Sequence, residues 1–357
     1  MFNGRRRTVL WILAAAGVGL ALAGAGAWYW IGRPLYTPGD ARRQVEAHPQ
    51  PAVDGSWTVA PGLRLHHFES GRGADVVVLH GGPGIPFRES IPGLRPLEAR
   101  YLFHYYDQRG CGRSSRPFDR FPSRSFFANL QQLEPTLGLA AQVGDVERVR
   151  RILGRERVVL VGHSFGAFLA ALYAAEFPER VRGLVLVAPA AVLRLPSADG
   201  GLYAEVERVL PAHQLIAYRE VVRELFDFGR LFERSEADLV ALHARFVPFY
   251  IEAARARGFR VPDASAAEGG GFMVEAQYLS MGRRHDFRPA LARITAPTLV
   301  IHGNLDLQSL EESAAYSNGV RGARLERFAA SGHFPFVDEP ERFSEVTGAF
   351  LDALGSE

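Results

Sequence analysis

Short apolar runs recur along most of this chain, and helical patterns separate them. Trp57–Ala60, Leu63–Phe68, Val76–Leu79, Leu102–Tyr106, Val158–Val161, Leu184–Val187, Leu299–Ile301 and Arg324–Phe328 have the length and the branched or aromatic content of strands. Between them, Val143–Leu153 and Phe168–Phe177 carry apolar residues at helical spacing. Such alternation predicts an α/β fold built on a mostly parallel, eight-stranded sheet with helices on both faces. From 190 to 288 the alternation stops, and stretches such as EVERVLPAHQLIAYREVVRELF read as successive helices. Strands resume at PTLVIHG. Residues 190–288 are therefore expected to form a helical cap between two core segments, 57–189 and 289–357.

The N-terminal region has a different pattern. A short tail, 1–8, holds Arg5, Arg6 and Arg7, and Val9–Ile31 then runs 23 residues without a charge. At ~1.5 Å per residue this stretch would make a helix of ~34 Å, enough to cross a ~30 Å hydrocarbon core. Trp28, Tyr29 and Trp30 would fit an interfacial aromatic belt. The expectation is one N-terminal transmembrane helix over 9–31, with a cleaved signal peptide as the alternative. The denser arginines before the span favour the N-terminus inside, which puts the body outside the cytoplasm, in a periplasm. Residues 32–56, with Pro34, Pro38, Pro49 and Pro51, are expected to be a linker of little regular structure.

Composition narrows the chemistry. The formal net charge is +2, which gives no reason to expect a nucleic-acid partner. No lysine occurs in the 357 residues, so the lysine of a phosphate-binding P-loop cannot be supplied. Cys111 is the sole cysteine, which excludes an intramolecular disulfide and thiolate zinc sites, and there is no H-E-x-x-H. No metal or cofactor is expected.

One stretch carries chemistry outright. VVLVGHSFGAFLAALYAA reads strand, tight turn, helix, and places G-x-S-x-G at 162–166. In that motif the serine sits on a strained turn where neighbouring side chains would collide, hence Gly162 and Gly166. Ser164 is the expected nucleophile. Serine needs a base to take its proton and a carboxylate to orient that base. His333, in a loop after the last strand, is the expected base, and Asp306, after the preceding strand, the expected acid, with Asp338 and Asp286 as alternatives. HGGPG at 80–84 follows a strand with almost bare backbone. That suits an oxyanion hole made by the N–H of the residue after the nucleophile and an N–H from this loop, so Phe165 and Gly82 are the expected donors.

HGGPG at 80–84, DQRGCGRS at 107–114, GHSFG at 162–166, HGNLD at 302–306 and SGHFPF at 331–336 together resemble the prolyl aminopeptidase (proline iminopeptidase) branch of the α/β-hydrolases. The resemblance spans about 57–357. It implies an α/β-hydrolase fold with a helical cap and release of an N-terminal proline or similar residue without metal or cofactor. It further implies that Asp107 and Arg109 brace a loop, and that a cap carboxylate binds the substrate's amino group. By placement that carboxylate is Glu275, with Glu205 or Asp238 as alternatives. Two departures bear on specificity. The family's elbow commonly reads G-G-S-W-G, and its acid loop often has arginine where this chain has Asn304. The expected activity is therefore a membrane-anchored serine aminopeptidase acting on short peptides through an acyl-enzyme. The alternative is an esterase or other small-molecule hydrolase with the same Ser-Asp-His set, and a third reading is a non-catalytic scaffold.

Overall fold

A computed structural model describes residues 32–45, 50–53, 55–263 and 268–355. Among these, nine strands form one sheet. They are β1 (Gln50–Val53), β2 (Ser56–Ala60), β3 (Leu63–Gly71), β4 (Ala74–Leu79), β5 (Tyr101–Tyr106), β6 (Val158–His163), β7 (Val181–Val187), β8 (Thr298–Gly303) and β9 (Arg324–Phe328). Their order is β1-β2-β3-β5-β4-β6-β7-β8-β9. Pairing is antiparallel from β1 through β3 to β5 and parallel from β5 through β4 to β9. All eight expected strands are present. The ninth, β1, corrects the count: it lies in the segment expected to be a linker and has no apolar run to announce it.

The sheet's middle is apolar on both faces, as parallel strands require. One face packs Val77, Leu79, Leu160, Leu184, Leu186 and Val300 against helices α3 (Leu139–Ile152) and α4 (Phe165–Glu176), helped by α1 (Asp40–Gln44). Helix α2 (Phe126–Leu137) instead buries Leu133 and Leu137 in a separate cluster with Cys111, Phe272 and Met273. The other packs Val76, Val78, Val161, Val185, Leu299 and Ile301 against Phe336, Phe343 and Leu351 of the C-terminal segment.

The cap follows β7 as α5 (Gly201–Val209), α6 (Leu215–Leu225), α7 (Glu236–Ala244), α8 (Val247–Arg257) and α9 (Phe272–Met281). A two-residue ribbon, Arg194–Leu195 paired with Asp286 and His285, closes its base. The cap's own core of Val206, Leu210, Tyr218, Ala253 and Phe259 continues into Leu307 and Phe334, beside Asp306 and His333. Cap and site loops therefore share one apolar cluster.

Residues 32–45 are bound to the body instead of trailing from it. Tyr36 is fully buried, its hydroxyl donates to Glu176, and its N–H donates to Ser280 O at 3.1 Å. Gly32 O accepts from Arg283 and Arg284, and Arg42 pairs with Glu179 at 2.7 Å.

The expected single-pass arrangement with a periplasmic body is corrected. Among the described residues no helix is long and apolar enough to cross a membrane. The longest have 14 residues, about 21 Å at ~1.5 Å per residue, short of ~30 Å. The tail 1–8 and the stretch 9–31 that carried the expectation lie outside the described residues.

Candidate active site

β6 is buried along its length and ends at Ser164, which sits at φ 54°, ψ −119° as the residue before α4. Positive φ is costly for a side chain with a Cβ, so the surroundings must hold it there. Val187 O takes the Ser164 N–H at 2.9 Å, and the N–H groups of Ala167 and Ala190 donate to Ser164 O. Both motif glycines are dictated by contact. A Cβ on Gly162 would come within 2.5 Å of Gly166 O, and one on Gly166 within 2.3 Å of Leu79 O.

The HGGPG loop lies directly on this elbow. A Cβ on Gly81 would meet Ser164 Cβ at 2.8 Å. Gly82 adopts φ 115°, and Phe165, first residue of α4, has no intrahelical acceptor for its N–H. The loop is fixed by the DQRGCG segment. His80 Nδ1–H donates to Gly81 O, its Nε2 accepts the Gln108 N–H at 3.0 Å, and Gln108 Nε2–H returns a bond to His80 O at 2.9 Å. His80 is thus held as neutral imidazole, and burial pushes its pKa down to about 4. Asp107 accepts the Arg113 N–H at 2.8 Å, while Arg109 makes a two-pronged pair with Asp145 and reaches Thr136 O. These contacts are structural braces.

β8 delivers Asp306 and the loop after β9 delivers His333. The two loops touch: a Cβ on Gly303 would lie 2.0 Å from Gly332 O, and Leu305 N–H donates to Ser331 O. His333 Nδ1–H donates to Asp306 Oδ2 at 2.8 Å, both side chains being buried. With Nδ1 committed, Nε2 is the nitrogen left to exchange a proton. The alternative acids are engaged elsewhere. Asp338 accepts from Gly332 N–H and pairs with Arg260, and Asp286 pairs with Arg288 at the surface.

Glu275, on α9, is only 3% exposed. α9 begins beside the HGGPG loop, where Gly270 N–H donates to Gly84 O at 3.0 Å. Glu275 is not free: its Oε1 lies 2.8 Å from His243 Nε2, while His243 Nδ1–H donates to Gly270 O at 2.9 Å. The other two candidate anchors hold structural bonds. Glu205 pairs with Arg208 and Arg257, and Asp238 completes the capping box of α7.

Four residues at the site were not singled out as site residues from sequence. His163 Nε2–H donates to His333 O at 2.8 Å, and burial, with His333 alongside, drives its pKa well below the usual range. Gln308 gives its N–H to Asp306 Oδ1 at 3.0 Å and accepts from Ala191 N–H at 2.6 Å. His243 and Tyr250 come from the cap. The first two stand beside motif residues, which is a usable signal. The cap pair has none.

A family model described as the alpha/beta hydrolase fold matches residues 76–340. The chain belongs to the α/β-hydrolase family. It is 28% identical to a proline iminopeptidase of Heyndrickxia coagulans, over 80% of this chain and 93% of that one, which places it on the prolyl aminopeptidase-like branch. It is also 27% identical to a 2-hydroxymuconate semialdehyde hydrolase of Pseudomonas sp. (strain CF600), covering 83% and 93% of the two chains. Among solved structures, a membrane phospholipase A shares the fold at a TM-score of 0.56 and 24% identity, over 100% of both chains.

Proposed function

We propose that this protein is a serine hydrolase that releases an N-terminal residue, proline or one like it, from short peptides. The observation that carries the catalytic part is a serine at positive φ on the elbow, whose neighbour His163 donates to the backbone oxygen of His333 at 2.8 Å, while the buried His333 side chain lies 2.8 Å from Asp306. Ser164 Oγ attacks the carbonyl carbon while His333 Nε2 takes its proton, and Asp306 stabilises the imidazolium that forms. The N–H groups of Gly82 and Phe165 bind the developing oxyanion. Collapse breaks the bond to the leaving amine, which receives the proton from His333. Water then attacks the acyl-serine, His333 takes its proton, and Ser164 is restored as the free residue departs. Glu275 is assigned the substrate's α-ammonium group, and the relationship to proline iminopeptidases supports that substrate class.

A second reading, an esterase with the same three residues, is favoured by one observation: the Glu275 carboxylate already holds His243. Prolyl and alanyl chromogenic amides and a neutral acetyl ester, assayed side by side on one preparation, separate the two. Turnover of the amides supports the peptidase. Turnover of the ester alone replaces it with the esterase. Failure of folded protein to take a fluorophosphonate at Ser164 removes both.

A further inference from the structure

Several side-chain polar atoms are buried without a hydrogen-bond partner among the described residues, and one of them belongs to a ring packed against His333. Tyr250 Oη is buried and bonded to nothing. The Tyr250 ring packs edge-on against the His333 ring, with centroids 6.3 Å apart at 75°, and edge-on against Phe259 at 6.4 Å. It comes from α8 of the cap, in the apolar cluster that also contains Leu307 and Phe334. Burial, reinforced by the charge of Asp306, raises its pKa well above the usual phenol range, so the oxygen keeps its proton and remains a donor.

A buried hydroxyl without a partner is a standing cost to the fold. Phenylalanine would fill the same space at no such cost, since the ring alone supplies the contacts to His333 and Phe259. Gln108 Oε1 is also unpartnered, but its side chain is committed to the backbone of His80 in the brace of the HGGPG loop. The hydroxyl at Tyr250 is the one carried on a ring that packs against His333. We infer that Tyr250 Oη–H is a substrate-binding donor from the cap, which hydrogen-bonds an oxygen of the acyl substrate seated beside His333. This rests on the reading of Ser164 and His333 as nucleophile and base, but it is independent of whether the substrate is a peptide or an ester. The ligand class is an acyl compound with an acceptor oxygen, to which the phenol can give its one proton.

Tyr250→Phe tests this because it deletes a single oxygen. The bond would be made in both the ground state and the transition state, so kcat/KM should fall about 10-fold, mainly through KM. The melting temperature of the free protein should stay the same or rise, because no bond within the fold is lost. Labelling of Ser164 by a fluorophosphonate, whose phosphoryl oxygen is such an acceptor, should slow by a similar factor. If turnover and labelling both stay within twofold of wild type, the hydroxyl holds nothing that matters, and the inference fails. A melting temperature several degrees lower would show that the hydroxyl serves the fold, and would also overturn it. Wild-type protein that takes no label at all would remove the nucleophile reading and this inference together, whereas normal wild-type labelling with an unaffected variant removes only Tyr250.

Discussion

Replacing Glu275 by glutamine should separate two kinds of substrate by a calculable amount. The change is isosteric and leaves one acceptor oxygen for His243, so the pocket should keep its shape. What it removes is the carboxylate charge that an α-ammonium group would meet. A hydrogen bond to a charged group is worth ~1.5–3 kcal/mol, equivalent to roughly 10–150-fold in kcat/KM. The structure adds a condition. His243 Nδ1 carries a proton because it faces the carbonyl of Gly270, which can only accept. His243 Nε2 lies 2.8 Å from Glu275 Oε1, so a substrate ammonium must share the carboxylate with His243. The tyrosines whose pKa values Glu275 helps to raise, Tyr203 and Tyr278, stay neutral. Nearby Glu236 is occupied by Arg116 and by the N–H groups of Gly271 and Phe272. Removing the Glu275 charge should therefore lower the preference for a prolyl amide over an acetyl ester. Taking the ratio of the two kcat/KM values at one pH cancels whatever the two substrates share in the chemical step. The assay is that ratio for wild type and Glu275→Gln. The glutamine at 275 should lower it by 10-fold or more. Equal losses on both substrates would refute the anchor and mark a structural defect. An unchanged ratio would remove Glu275 from substrate recognition.

Other consequences can be checked independently. Ser164→Ala and His333→Ala should each reduce kcat to a similar residue of activity, and the double variant should fall little further, because the residues of such a unit are strongly non-additive; a double loss equal to the product of the single losses would show that they act separately. His80 is held neutral with its pKa pushed from 6.5 to about 4, so the unfolded chain takes up a proton that the fold refuses between those values. Its contribution is complete above pH 6.5 and shrinks by about 3 kcal/mol by pH 4. Urea titrations of wild type and His80→Gln should show the shallower pH slope in the variant, and identical slopes would refute the assignment. Tyr36→Ala should cost about 3–5 kcal/mol of stability, as expected for a fully buried aromatic. A loss below about 1 kcal/mol would show that residues 32–45 are dispensable to the folded body.

The parts of this molecule that could be read from sequence are those where one stretch of chain is enough to state the requirement. Val158–Val161 and Leu299–Ile301 are buried on both faces, so their apolar runs had no other reading. The elbow and HGGPG could be read because backbone crowding there admits only glycine at Gly162, Gly166 and Gly81. β1 could not be read that way. Its four residues, QPAV, form an edge strand with a proline and no alternation, and β2 is the strand it pairs with. α1, DARRQ, is polar but for one alanine, and it is held by neighbours such as Glu176 and Glu179 that lie more than a hundred residues away. The length and apolarity of 9–31 supported a membrane span on local grounds alone, and no described helix supplies one.

Specificity was harder to read than catalysis for the same reason. Ser164, Asp306 and His333 each follow a strand of the same sheet, so strand order brings them to one edge, and each carries a local motif. The cap has no such register. His243 reaches Glu275 across 32 positions, and Tyr250 meets His333 only because α8 packs its apolar side onto Leu307 and Phe334. The cap residues proposed to meet the substrate's oxygen and ammonium are brought together by tertiary packing alone. The cap can therefore change its donors without disturbing the elbow, and the chain is similar at comparable identity to a proline iminopeptidase and to a semialdehyde hydrolase. On the function and the inference proposed above, the deciding residues in this chain are Glu275, His243 and Tyr250. Variants at these three should move substrate preference while leaving the fluorophosphonate reactivity of Ser164 measurable, and a cap variant that abolished labelling altogether would contradict that division of labour.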